Sequence, residues 1–293
     1  MSQDRDDKPA RPRILVALDA SPASTAACRA AAAVAARLGA ELEGLFIEDE
    51  NLLRSAALPA TRLVGIHSAE LMSFSSEDLA SQLQAQAERA RRALEDIALA
   101  AQVAYSFRVA RGLVGQILAE ASTRADLVSL GSRGWGMPGE RRLGSVIGSL
   151  LSTGHGRVLI TNEQTPVQSG PIRLIVDDVA HIPALVDALA DTLPAPSGGA
   201  GVGARGPGVE VIISVTHADV AGAIEQAARA RLDARGLAVA GVRRVGGQDG
   251  ELLHSLSRGA GLLVVAADSA LVAREDDLIT LLAAPACPVL LVR

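Results

Sequence analysis

The chain has 293 residues, 49% hydrophobic but only 2% aromatic, with a formal net charge of −5. Such a length suits one or two domains, and a core with few aromatics must be built from Ala, Val, Leu and Ile, as when helices pack on a parallel sheet. The acidic balance argues against a general binder of nucleic acid or of membrane surfaces. Residues 1–10 read as a polar tail with no apolar signal core, and no apolar run is long enough to span a bilayer. Cys28 and Cys287 form neither a disulfide framework nor a metal spacing, so a cytoplasmic, reducing location is expected. Lys8, in the tail, is the sole lysine, which excludes a Walker P-loop and a pyridoxal Schiff base.

In chain order, Arg13–Leu18 is an apolar strand ending in Asp19. Ser21 then caps a helix with Pro22 at its first position, and Gly39 stops it. A second strand, 41–47, follows at once, so the pair should be parallel with a right-handed crossover. Asp19 thus lies at the carboxyl end of a strand, where ligands enter open α/β sheets; a plain turn aspartate is the other reading. From 48 to 74 the periodicity fades, apart from a short helix near Asn51, which suggests a lid or an added surface element. His67 reads as a solvated loop residue. A long helix begins near Ser75 with the Ser75–Asp78 spacing of a capping box. Its apolar face is Leu79, Leu83, Ala87, Ala90, Leu94, Ile97 and Ala101. Arg89, Arg91 and Arg92 on it are read as a solvated face, because Glu88, Glu95 and Asp96 flank them. Strand 103–109, helix 115–123, strand 125–130, a helix from Ser145 and strand 157–161 complete a β-α-β-α-β-α-β-α-β series, and 162–170 is a linker.

The stretch from 125 to 153 carries the chemistry. After the strand, Gly131, Gly134 and the pair Gly144-Ser145 fall in the order G-x2-G-x9-G-S, immediately before a helix. Glycines let backbone approach a ligand closely, and a helix N-terminus adds unpaired N–H groups, so this is an anion cradle. The spacing resembles the ATP-binding signature of the universal stress protein family. Residues 14–21 (ILVALDAS), 108–134 and 287–292 (CPVLLV) extend the likeness, well over 11–165 and in outline over 170–293. The resemblance implies ATP, with Ala17, Leu18 and Asp19 on the adenine–ribose side and Phe46 lining the same wall. It places Gly131, Ser132, Arg133, Gly134, Gly144, Ser145 and Val146 around the phosphates. A magnesium ion can accompany the nucleotide, although the sequence names no ligand for it.

The second half repeats the plan with erosion: strands at 172–177, 209–216, 237–245, 261–267 and 288–292, with helices at 182–192, 218–235, 250–258 and 277–283. Residues 194–208 are a flexible loop by composition. Aligning strands puts Ala266 and Ser269 opposite Gly131 and Gly134, and Glu275-Asp276 opposite Gly144-Ser145. Two acids at a helix start suit its dipole but repel a triphosphate, so only the first half is expected to bind nucleotide. Two G-x-G-x-x-G matches (201–206 and 134–139, the latter with Glu163) lack the strand-first placement of a dinucleotide fingerprint. Histidines in no ligand pattern and the lack of a nucleophile elbow leave no catalytic constellation.

The resulting expectation is an α/β chain of two doubly wound, mostly parallel five-stranded sheets packed as an internal pseudo-dimer through their terminal strands. It comprises a tail (1–10), an ATP-binding universal stress domain (11–165) and a degenerate one (166–293). The implied role is nucleotide-dependent stress signalling, with a regulatory protein partner or homodimer in view. The alternatives are a slow ATP hydrolase or nucleotide-transferring enzyme, and a nucleotide-free scaffold.

Overall fold

The computed structural model describes residues 12–56, 63–64, 71–72, 76–132, 146–147, 150, 156–161, 163, 170–193, 208–215, 217–246, 250–272 and 286–293. Its strands are β1 (Arg13–Leu18), β2 (Glu41–Asp49), β3 (Leu63–Val64), β4 (Leu71–Met72), β5 (Tyr105–Gly112), β6 (Leu127–Gly131), β7 (Arg157–Thr161), β8 (Ile172–Val176), β9 (Val209–Ile213), β10 (Val239–Arg244), β11 (Leu262–Ala266) and β12 (Val289–Val292). The helices are α1 (Pro22–Leu38), α2 (Glu50–Ala56), α3 (Ser76–Ala100), α4 (Val114–Ser122), α5 (Ile182–Thr192), α6 (Ala218–Ala234) and α7 (Gly250–Ser257). Residues 146, 147 and 150 are also helical.

Local chemistry sets the first crossover. The Ser21 hydroxyl accepts from the Ser24 N–H at 3.1 Å, Pro22 opens α1, and Gly39 closes it at φ 60° in the left-handed region. In α3 the expected apolar face is buried from Leu79 to Leu94, Ala98 extends it, and Ile97 and Ala101 pack against the same layer partly buried. Leu94, fully buried, contributes roughly 2 kcal/mol by leaving water. On the opposite face Arg91 pairs with Glu88 at 2.8 Å and Glu95 at 3.0 Å, and Arg92 with Glu88 at 2.9 Å. These hydrogen bonds hold the Glu88 carboxyl down at about 2. The arginine run is therefore a solvated salt-bridged face. Within 48–74, β3 and β4 pair antiparallel; His67 and Ser75 lie outside the described residues.

The two expected five-stranded sheets are present, and they join edge to edge. The order β5-β2-β1-β6-β7 continues as β12-β11-β8-β9-β10, ten strands in all. Every pairing in this sheet is parallel except β7 with β12, where Ile160 faces Val289 and Val158 faces Leu291 antiparallel. Each terminal strand thus covers an apolar edge that the other would expose. Both core layers run across this seam. One face packs α1, α3, α5 and α6 through Cys28, Leu94, Leu185 and Ile224; the other packs α4, α7 and Leu150 through Leu118 and Leu253. The seam also has a polar tie, since Arg157 meets Asp191 at 2.6 Å and Arg37 donates to the backbone oxygen of Thr192. Burial lowers the Arg37 guanidinium to about 10, which leaves it charged at neutral pH. The outer strands β5 and β10 carry Arg108, Arg111, Arg243 and Arg244, charges that discourage further edge pairing.

Candidate functional site

Strand β1 sits between β2 and β6, with α1 on one face and α4 on the other, so its carboxyl end is the point where the winding reverses. Ala17 and Leu18 are buried there in opposite core layers, as successive strand residues must be. Asp19 follows, and its Oδ1 accepts from the Ser21 N–H at 2.9 Å while its own N–H reaches the Ser24 Oγ at 3.4 Å. Between them Ala20 adopts φ 61°, a left-handed conformation uncommon for alanine and a strain typical of functional turns. Phe46, paired with Leu18, is 2% exposed and belongs to the core layer under α1.

The carboxyl end of β6 lies beside this turn. A Cβ at Gly131 would stand 2.7 Å from the Ala23 carbonyl carbon and 2.8 Å from the Ser24 nitrogen. The missing side chain at this position therefore admits the first turn of α1. Next, Ser132 donates its N–H to the Thr161 carbonyl at 2.6 Å. Its hydroxyl is buried and has no hydrogen-bond partner among the described residues, and the same is true of the Thr161 hydroxyl. Buried hydroxyls without partners are costly. At Ser132 this donor opens the glycine-rich segment, so the residues present fit a phosphate-bearing ligand. Val146 is in a helix, its side chain buried beside Ile147 and Leu150 in the layer that also holds Ala17. Arg133, Gly134, Gly144 and Ser145 lie outside the described residues, as do Glu275 and Asp276.

The second half holds a counterpart that sequence reading passed over. Ile14 pairs with Leu42 and Leu127, and Ile172 with Val209 and Leu262, so these two residues anchor equivalent registers. Counting from them, Asp177 stands where Asp19 stands. Gly131 pairs with Thr161 as Ala266 pairs with Val292, so Ala267 replaces Ser132. Asp177 is bound inward. Its Oδ2 accepts from the Ser269 hydroxyl at 2.7 Å and the Ala270 N–H at 2.9 Å, and its Oδ1 lies 3.0 Å from His181 Nδ1. The other ring nitrogen of His181 is 3.3 Å from Asp268 Oδ1. A crevice of about 430 Å³ opens beside them, lined also by Asp178, His217 and Val220. The available signal was the ending of both first strands in aspartate, VALD and LIVD. Among the described residues no three His, Cys, Asp or Glu side chains form a metal-holding group, and no helix is long and apolar enough to cross a membrane.

Comparison with known proteins agrees with this architecture. A universal stress protein of Archaeoglobus fulgidus shares the fold at 13% identity and a TM-score of 0.64, over 96% of each chain. A functionally unknown protein of Pseudomonas aeruginosa PAO1 is 15% identical with a TM-score of 0.50, over 97% of this chain and 92% of its own. A universal stress protein solved in complex with cAMP is 22% identical over 52% of this chain and 97% of its own, at a TM-score of 0.37. No curated protein matches the sequence. The model of the universal stress protein family matches residues 11–162, just over half of the chain, and the chain belongs to that family.

Proposed function

We propose that this chain is an ATP-binding regulatory module of the stress response in which the first half (11–165) holds the nucleotide and the second (166–293) does not. The observation that carries the reading is the buried Ser132 hydroxyl, which has no partner among the described residues and opens the glycine-rich segment. In this reading the backbone N–H groups around Gly131, Gly134, Gly144 and Val146, with the Ser132 and Ser145 hydroxyls and Arg133, hold the phosphates. Asp19 serves the ribose side from the end of β1. Bound ATP supplies a triphosphate whose presence or loss can be read out by a protein partner. The second half lacks the glycines, and its equivalent aspartate already accepts from Ser269 and Ala270.

Calorimetric titration of the full chain with ATP, together with native mass spectrometry, tests this reading. One nucleotide per chain is expected, and at a hundredfold excess over Kd the folded state gains about 2.7 kcal/mol. No binding at about millimolar ATP, or two nucleotides per chain, overturns the proposal.

A further inference from the structure

The glycine motif ends at the helix after Ser145, yet the strand beyond it carries a hydroxyl that the motif does not include. Several buried hydroxyls of this chain are bonded internally: Ser122 Oγ donates to the Ala119 carbonyl at 2.7 Å, Ser129 Oγ to the Ala27 carbonyl at 3.0 Å, and Ser269 Oγ to Asp177 at 2.7 Å. Among the described residues, the buried hydroxyls without a partner are those of Ser132 and Thr161, which are 6% and 2% exposed. These two are neighbours. Gly131 pairs with Thr161 at the carboxyl ends of the parallel strands β6 and β7, and the Ser132 N–H donates to the Thr161 carbonyl at 2.6 Å.

The second half shows what packing alone selects at this place. Where the first half has Gly131, Ser132 and Thr161, the second has Ala266, Ala267 and Val292. Valine has nearly the shape of threonine, and Val292 is buried too. A buried hydroxyl with no bond carries a cost that a methyl in its place does not, so filling the core does not account for Thr161. By strand alternation Thr161 faces the same layer as Leu159, on the side of α1. Beside it, the opening turn of α1 fills the place of a side chain at Gly131. The hydroxyl is thus set near a helix N-terminus, where negative charge is stabilised. Strands β1, β6 and β7 are consecutive and parallel, so their carboxyl ends form a row with a spacing of about 4.8 Å. With Asp19 at one end and Ser132 in the middle, Thr161 stands about 10 Å along that row. A nucleotide held at Asp19 by its ribose reaches β7 only through an extended phosphate chain.

We propose, resting on the ATP reading above, that the Thr161 hydroxyl donates to the terminal phosphate of the bound nucleotide and so sets a preference for triphosphate over diphosphate. The full chain and its Thr161→Val variant, which copies Val292, are titrated with ATP and with ADP by calorimetry, and both are melted without ligand. In the valine variant ATP affinity should fall about tenfold, as for one lost hydrogen bond to a charged group, while ADP loses less than about twofold. The melting temperature without ligand should hold or rise, because the hydroxyl has no partner among the described residues. Thr161→Ser keeps the hydroxyl and should bind ATP more tightly than the valine variant does. If the parent binds ATP, the Thr161 assignment alone is overturned by any of four results: undiminished ATP affinity in Thr161→Val, equal losses for ATP and ADP, a serine variant as weak as the valine one, or a lower melting temperature of unliganded Thr161→Val. A parent that binds no ATP overturns the nucleotide reading and this assignment together, so the two failures are told apart.

Discussion

The two halves of this sheet share strand order, register and an aspartate at the end of the first strand, yet they diverge in the few residues beyond it. In the first half Ser21 and Pro22 start α1 at once, and its opening turn comes so close to β6 that only glycine fits at 131. In the second a short 3₁₀ turn, Val179–His181, precedes α5, and Ala266 takes the place of Gly131. Asp19 holds its own turn, whereas Asp177 reaches across to the loop after β11. One scaffold thus carries a tightly packed glycine beside the first turn of α1 in one half and a crevice lined by acids in the other. The comparison also shows that a signature glycine can have a packing reason in addition to a ligand reason, and Gly131 has one.

The most severe way to erase the difference is to give the first half the acids aligned with its motif. Gly144→Glu with Ser145→Asp should lower ATP affinity at least about a hundredfold, since each lost charged hydrogen bond is worth roughly 1.5–3 kcal/mol. Calorimetry reads the loss, and near-normal affinity would place the site elsewhere. Exchanging the packing residues comes next. Gly131→Ala forces a methyl against the backbone of Ala23 and Ser24, and chemical denaturation should show about 2–3 kcal/mol lost from the apo protein. The converse change, Ala266→Gly, should cost only about 1 kcal/mol through added freedom of the unfolded chain. Equal costs would mean that α1 and α5 press on the sheet alike. Ser132→Ala copies Ala267: ATP should bind about tenfold more weakly while the apo melting temperature holds or rises, because the lost hydroxyl has no partner among the described residues. A fall in apo stability would reveal a structural hydrogen bond instead.

The smallest expected difference is none. Cys28 in the first half and Cys287 in the second are both buried, and burial pushes each thiol up to about 12. Near pH 8 neither forms appreciable thiolate, so labelling has to wait for unfolding. Because both core layers cross the seam, the two thiols should react at one common rate. Faster labelling of one half would show that it opens alone.

What the sequence disclosed was governed by local chemistry. The cap at Ser21, the proline and the stop at Gly39 delimited α1, and α5 and β7 were found to the residue. Strand β5 was expected at 103–109 but runs from Tyr105 to Gly112. Its far end is held by pairing with β2 as far as Asp49 and by Arg111 meeting Glu48 at 3.2 Å, contacts between distant segments. Pairing of β7 with β12 was legible because each is an apolar strand that cannot be left as a bare edge. The arrangement around Asp177 was not, since its partners Ser269 and Ala270 lie 92 and 93 residues away and form no motif. Likewise the fit of Gly131 against α1 depends on how a helix leans on a sheet, and composition does not encode that.

The position of β12 bears on how the molecule is made. It is the last strand of the sheet in chain order, yet it lies near the middle, holding the rim of the first half. During synthesis β7 leaves the ribosome well over a hundred residues before β12 does. At about 5–20 residues per second, that apolar rim waits on the order of ten seconds for its mate. Nascent chains on neighbouring ribosomes pass through the same interval with the same bare strand, so cells that translate this message densely face a choice between timely closure and exchange of β12 between copies.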